Sequence, residues 1–146
     1  MTSTEHVTRG ALRLLHSMGY SSICELPLTN GRRADVVGVN KAGEVAIVEV
    51  KSCLADFRSD QKWQQYLPYS DEFYFAVDQQ FPFDVLREEN SLPDVTGVII
   101  ADAFDGEIVR PAKRQKVHPS RRKTLHLKMA RVAAARLTQT EVRVRR

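Results

Sequence analysis

The sequence contains few cysteines and no long apolar run, and each absence narrows the class of protein. Cys24 and Cys53 are the two cysteines among 146 residues, too few for a disulfide framework and without the spacing of metal ligands. No apolar segment approaches the roughly 18–20 residues of a membrane span, and the N-terminus has no apolar signal region. A protein that does not enter a membrane and stays in the reducing cytoplasm is therefore expected.

Several nucleotide and metal motifs are also missing. The chain has no glycine-rich loop of the P-loop type, which excludes a P-loop ATPase. Its four histidines are scattered, without a pair at metal-ligand spacing. What remains, 42% apolar and 27% charged residues, is the composition of one globular domain.

Charge is divided unevenly along the chain. Residues 1–109 carry 9 Lys and Arg against 17 Asp and Glu, a net charge of −8, whereas residues 110–146 carry 13 against 1, a net charge of +12. Such asymmetry predicts a polyanionic partner for the basic end and leaves DNA, RNA and an anionic membrane open. It also raises the question whether some carboxylates of the acidic part bind metal.

The hydrophobic periodicity predicts an α/β fold with a central mixed β-sheet flanked by helices. Helices are predicted at 3–18, 54–67, 84–89 and 120–137, and strands at 20–28, 33–40, 44–51, 72–77, 98–101 and 108–110. The second helix is expected to break near residues 59–60 and to end at Pro68. We expect residues 1–119 to form the core, residues 120–146 to form a basic helix and tail packed on the core or extending from it, and residues 138–146 to be frayed.

The third predicted strand carries charge where a central strand should be apolar. Glu49 and Lys51 interrupt its apolar run and point to the same face, because side chains alternate along a strand. Asp35 stands in the second strand, and the short loop 40–43 makes the two strands a hairpin that places Asp35 opposite Glu49. Two buried carboxylates at that distance repel each other, and a divalent cation would remove the repulsion.

A purely structural ion pair is the competing interpretation. Lys51 paired with Glu49 or with Asp35 would explain a single buried carboxylate without any metal. Two acids exceed what one lysine needs, which favours a metal site.

The same residues carry a resemblance to a known family. The tripeptide RAD at 33–35 and the sequence VEVK at 48–51 resemble the PD-(D/E)xK nuclease signature, and the predicted order of elements is similar to that fold's core. The longer segments NGRRADVVGV, IVEVKSCLADFRSDQKW and FYFAV resemble the MmcB-like family of DNA repair proteins over roughly residues 5–130. The resemblance implies a restriction-endonuclease-like α/β core that acts on DNA, with a homodimer as a further expectation.

The resemblance also implies roles for the residues of this site. Asp35 and Glu49 would ligate Mg²⁺ or Mn²⁺ together with the backbone carbonyl of Val50. Lys51 would orient the attacking water or stabilise the phosphate. Glu25, in the neighbouring first strand, would hold a second ion or bind the first through water; an exposed strand carboxylate without that role is the alternative.

Cations and one tyrosine are predicted to contact DNA. Lys62 and Tyr66 occupy the place of a QxxxY helix motif of related nucleases, with Lys instead of Gln, and at a spacing of four they would share a helix face. Arg58 would contact phosphate or remain a solvated charge. The basic C-terminal helix would add sequence-independent contacts through Arg121, Arg122, Lys123 and Lys128.

The sequence thus predicts a DNA repair nuclease that hydrolyses phosphodiester bonds in damaged or branched DNA with Mg²⁺ or Mn²⁺. A DNA-binding repair accessory protein with this fold and little turnover is the first alternative. A non-enzymatic RNA-binding or chromosome-associated basic protein is the second. Intact Asp35, Glu49 and Lys51 favour the nuclease, because a protein without catalysis has no reason to keep three costly buried charges.

Overall fold

The computed structural model describes residues 2–60 and 62–145 and has a six-stranded sheet at its centre. In chain order the strands are β1 (Ser21–Pro27), β2 (Arg33–Val39), β3 (Val45–Val50), β4 (Glu72–Val77), β5 (Gly97–Ala101) and β6 (Gly106–Arg110). The α-helices within these residues are α1 (Ser3–Ser17), α2 (Leu54–Ser59) and α3 (Pro119–Arg145), and 3₁₀ helices lie at Trp63–Tyr69, Phe83–Arg87 and Glu89–Ser91.

The strands lie in the sheet in their order along the chain. β1, β2 and β3 form an antiparallel meander, β3, β4 and β5 are parallel neighbours, and β6 returns antiparallel to β5. The parallel step from β3 to β4 requires a crossover, which α2 and the 3₁₀ helix Trp63–Tyr69 provide. The predicted mixed α/β sheet is confirmed, and the order of elements is the one that the family resemblance implied.

α1 covers one face of the sheet. Its N-terminus is closed by a capping box, in which the side chains of Thr2 and Glu5 each accept a hydrogen bond from the other residue's backbone N–H. Val7, Ala11 and Leu15 recur at helical spacing and are buried against the sheet. Burial of this apolar stripe, at about 25 cal/mol per Å² removed from water, holds the helix in place.

An aromatic layer covers the other face. Trp63 stacks on Phe73 with ring centroids 5.5 Å apart, and its edge meets Phe75 at 4.8 Å. α3 closes this layer through the buried side chains of Leu125 and Met129. The 3₁₀ helix Trp63–Tyr69 and α3 therefore lie on the same face of the sheet, opposite α1.

The crossover differs from the predicted helix at 54–67. The predicted break near residues 59–60 is present, because α2 ends at Ser59. The segment after it is a 3₁₀ helix, and it continues through Pro68 to Tyr69 instead of ending at the proline. A short 3₁₀ helix loses at most one hydrogen bond to the missing proline N–H, so Pro68 does not end it.

α3 is longer than predicted. It runs to Arg145 rather than to residue 137, so the expected fraying of residues 138–146 is wrong for 138–145, and Arg146 lies outside the described residues. No glycine or proline follows Pro119 in the sequence, and nothing therefore stops the helix. Despite this length, none of the helices in residues 2–60 and 62–145 is apolar enough over a sufficient stretch to cross a bilayer.

Candidate functional site

β2 and β3 separate at one end, and the candidate metal ligands Asp35 and Glu49 lie where they separate. The ladder pairs Val36 with Val48, and one further step brings Asp35 opposite Glu49. There the side chains replace the ladder: Asp35 N–H donates to Glu49 Oε1 at 3.0 Å, and Val50 N–H donates to Asp35 Oδ2 at 2.8 Å. The predicted juxtaposition of the two acids is confirmed, and each acid also satisfies a backbone N–H of the opposite strand.

Burial makes the two carboxyl groups hard to ionise together. Glu49 is 5% exposed, and burial followed by repulsion from Asp35 raises the pKa of Glu49 to about 8. Burial also raises the pKa of Asp35, although the hydrogen bond from Val50 N–H opposes the rise. A divalent cation bound between them would favour the ionised forms of both acids.

Lys51 is buried beside this pair, but its charge is neutralised by a different acid. Its Nζ lies 2.5 Å from Asp60 Oδ2, and the other oxygen of Asp60 accepts from Lys62 N–H at 2.9 Å. Burial opposes ionisation of Asp60, but the hydrogen bonds from Lys51 and Lys62 outweigh it and lower the pKa of Asp60. Sequence reasoning did not single out Asp60, whose one signal is its position at the predicted break between two helical segments.

The donors at this site fit a hard divalent cation. The carboxylates of Asp35 and Glu49 and the carbonyl of Val50 are ligand types that Mg²⁺ and Mn²⁺ take, and Mg²⁺ is commonly held by one or two carboxylates with several waters. Among residues 2–60 and 62–145, no group of three or more His, Cys, Asp or Glu side chains is arranged to hold a metal. An ion held by Asp35 and Glu49 alone would have to take its other ligands from backbone carbonyls and water.

Glu25 stands opposite Asp35 in the register of β1 and β2. Its φ of 52° is in the left-handed region, and its side chain is exposed. Glu25, Asp35 and Glu5 line one cavity of about 420 Å³. The structure thus brings Glu25 to the same cavity as the candidate ligand Asp35, and a second ion held by Glu25 stays a prediction.

We expect Glu25→Gly to stabilise the fold by about 0.5–1 kcal/mol. A non-glycine residue at φ 52° is strained, and glycine adopts that conformation freely. Thermal unfolding measures the difference, and Glu25→Ala, which keeps the strain, is the control that should gain nothing. A glycine variant less stable than wild type would contradict the strain at this position.

The predicted DNA contacts in the crossover, Lys62, Tyr66 and Arg58, differ in their exposure to solvent. Lys62 is exposed, whereas Tyr66 is buried and its hydroxyl donates to Arg33 O at 2.9 Å. Lys62 precedes the 3₁₀ helix Trp63–Tyr69, in which residues four apart do not share a face, so the predicted common face of Lys62 and Tyr66 is wrong. Arg58 is exposed and lines a small cavity together with Asp60.

Part of the basic C-terminal segment serves the fold. Arg122 donates to both oxygens of the buried Asp71 at 2.6 and 2.9 Å, and to Gly43 O at 2.7 Å. These contacts give Arg122 a structural role, and its predicted contact with DNA stays a prediction. Other arginines also bond to the core: Arg110 to Thr96 and Leu86, Arg114 to Glu44 and Glu72, and Arg136 to the carbonyls of Cys24 and Glu25.

The remaining predicted contacts on α3 differ in exposure. Arg121 and Lys123 are exposed, and Lys128 is half-buried. The basic segment therefore offers fewer cations to a polyanion than its sequence suggests.

Two solved structures and one family are similar to this chain. The SPO1766 protein of unknown function from Silicibacter pomeroyi is 41% identical, with a TM-score of 0.87 over 97% of this chain and 92% of that one. A repair endonuclease from Pyrococcus abyssi is 18% identical, with a TM-score of 0.38 over 56% of this chain and 42% of that one, which is too distant to carry an argument. No curated protein matches the chain. The family described as DNA repair protein MmcB-like matches residues 2–144, so the chain belongs to the MmcB-like family of DNA repair proteins.

Proposed function

We propose that the protein is a Mg²⁺- or Mn²⁺-dependent deoxyribonuclease that hydrolyses phosphodiester bonds in damaged or branched DNA during repair. The observation that carries this proposal is the pair of facing carboxylates, Asp35 and Glu49, where β2 and β3 separate. A structural ion pair needs one acid for one lysine, and Asp60 already serves Lys51 at 2.5 Å. Asp35 and Glu49 form no ion pair within residues 2–60 and 62–145, and a divalent cation would be a direct partner for both. Membership of a DNA repair family makes DNA the expected substrate.

Asp35, Glu49 and the carbonyl of Val50 would hold the ion. When bound, it supplies a Lewis acid for a phosphate oxygen and lowers the pKa of a water molecule. The two carboxylates keep their positions without it, because Asp35 accepts from Val50 N–H at 2.8 Å and Glu49 accepts from Asp35 N–H at 3.0 Å. Ligands fixed in this way need little rearrangement before the reaction.

Lys51 would contact the phosphate. It points to the same face of β3 as Glu49, because the two residues are two apart in an extended chain. Its ammonium has three N–H donors, and Asp60 accepts one of them at 2.5 Å. Because Asp60 orients its ammonium, Lys51 would stabilise negative charge on the phosphate.

DNA binding without turnover is the second candidate, and the Lys51–Asp60 ion pair favours it, since this lysine already has a partner. A panel of labelled single-stranded, duplex and branched DNAs, incubated with Mg²⁺ or Mn²⁺, separates the two candidates. Cleavage that stops in EDTA supports the nuclease. Binding with no product from any substrate, with either metal, supports the accessory protein.

We expect Mn²⁺ to raise the melting temperature of the wild type, and to raise it more as pH increases from about 6 to about 8. The ion must displace the proton that Glu49 holds up to its pKa of about 8. Without metal, the melting temperature should fall as pH increases. The pKa of Glu49 is raised from 4.5 to about 8, so the stability that its protonated form contributes is lost as pH rises through that range. Melting curves with Mn²⁺ and with EDTA at each pH measure both trends.

Asp35→Asn is the matched variant for this measurement. It removes one of the two charges that repel each other once Glu49 is ionised, so without metal it should be more stable than wild type by about 1 kcal/mol above about pH 8. Mn²⁺ should raise its melting temperature less than that of wild type. Identical wild-type melting curves with and without Mn²⁺ at the highest pH would contradict the metal site.

A further inference from the structure

A cavity of about 260 Å³ lies between the first turns of α3 and the loop that joins β1 to β2. Its lining combines two cations, several hydroxyl groups and buried apolar side chains, among them Arg121, Lys128, Thr29, Thr124, Leu28 and Leu125. No carboxylate stands among the described residues that line it. The cavity is therefore positive on one part of its wall and apolar on another.

Tyr69 holds Arg121 at this cavity. The guanidinium carbon of Arg121 lies 5.1 Å from the centroid of the Tyr69 ring, and the Tyr69 hydroxyl shares a 2.8 Å hydrogen bond with Thr29. A cation stacked on a ring is positioned while its N–H donors remain available. Within residues 2–60 and 62–145, neither Arg121 nor Lys128 forms an ion pair with an acid, whereas Asp71 neutralises the neighbouring Arg122.

The cavity and the Asp35–Glu49 pair lie towards opposite ends of one contact line, here called the seam. The seam runs between the 3₁₀ helix Trp63–Tyr69 and the β1–β2 loop: Tyr66 bonds to Arg33 O towards the carboxylate end, and Tyr69 bonds to Thr29 at the cavity end.

We propose that this cavity binds a backbone phosphate of the DNA strand whose phosphodiester bond reaches Asp35 and Glu49; the inference rests on the proposed function. Two cations without an acid partner, neighbouring hydroxyl groups and a lining free of carboxylates are the chemistry that recognises a phosphate. Phosphate contacts position a strand without reading its sequence. This subsite would therefore set the distance along the strand between a bound phosphate and the bond that is cleaved.

The test compares DNA binding in EDTA by the full-length protein and two double variants. Arg121→Gln/Lys128→Gln removes both cations of the cavity, and Lys116→Gln/Arg131→Gln removes the same charge from exposed positions outside it. We expect the cavity variant to bind a labelled duplex about a hundredfold more weakly, about tenfold for each charged contact, and the control less than about threefold more weakly. The log–log salt slope should fall by about two units in the cavity variant alone.

Three outcomes would overturn this inference. Equal losses in the two double variants would remove the phosphate subsite and leave the proposed nuclease untouched, because the assay contains no metal and no cleavage. Equal binding by Arg121→Lys and Arg121→Gln would show that the charge at this position does not matter. A wild-type protein that binds no DNA would overturn both the subsite and the proposed function. Melting temperatures of all variants identify any loss of fold.

Discussion

Glu49→Gln is expected to lower metal-dependent DNA cleavage by at least about a thousandfold and to leave DNA affinity in EDTA within about threefold of wild type. The carboxylate would hold the ion on which the reaction depends, whereas affinity would come from cations elsewhere. Glutamine should not disturb the fold, because Glu49 is largely protonated below its pKa of about 8. Its Oε1 accepts the Asp35 N–H at 3.0 Å, and an amide oxygen also accepts such a bond.

Glu107→Gln is the matched control for this prediction. Glu107 is exposed on the edge strand β6, so the same Glu-to-Gln substitution is made there outside the candidate site. Single-turnover rates with excess protein compare the three proteins on one DNA substrate, and the control should cleave within about twofold of wild type. Near wild-type cleavage by Glu49→Gln would refute its role as a metal ligand. An equal loss of cleavage and affinity would place Glu49 in DNA binding instead.

The meeting of Asp35 and Glu49 could be predicted because it follows from local geometry. A short loop closes the hairpin between β2 and β3, and Gly43 adopts the positive φ of 82° there. The two-residue period of the strands then determines which side chains face each other. Residues 33–51 contain all the information that this step needs.

The partner of Lys51 could not be predicted in the same way. Asp60 reaches Lys51 because the chain bends between α2 and the 3₁₀ helix Trp63–Tyr69, and the periodicity of residues 54–67 does not distinguish a 3₁₀ helix from an α-helix. The basic segment poses a similar difficulty. Arg122 meets Asp71 across 51 residues of sequence, and a run of positive charge gives no sign of which members the folded core neutralises.

Arg122→Gln should lower the free energy of unfolding by about 3 kcal/mol. Asp71 is 4% exposed, and Arg122 donates to both of its oxygens. Without the guanidinium, the buried carboxylate keeps the N–H groups of Val45 at 2.7 Å and Val117 at 3.4 Å as its partners. Removing one partner of a buried pair costs about 3–5 kcal/mol, and the partly exposed Arg122 side chain places the expected loss at the lower end.

Lys123→Gln is the control for this variant, because Lys123 is the next residue, is exposed and loses the same charge. Its stability should stay within about 0.5 kcal/mol of wild type in urea unfolding.

Burial opposes ionisation of Asp71, but the hydrogen bonds from Arg122 and Val45 outweigh it and lower the pKa of Asp71. A carboxyl with a lowered folded pKa stabilises the fold above its unfolded pKa of about 3.9 and loses that contribution as pH falls through the folded value. The difference in free energy of unfolding between wild type and Arg122→Gln should therefore be largest at neutral pH and should decrease below about pH 4. If Arg122→Gln lowers the free energy of unfolding at neutral pH no more than Lys123→Gln does, the structural role of Arg122 is contradicted. Arg122 would then be available to contact DNA.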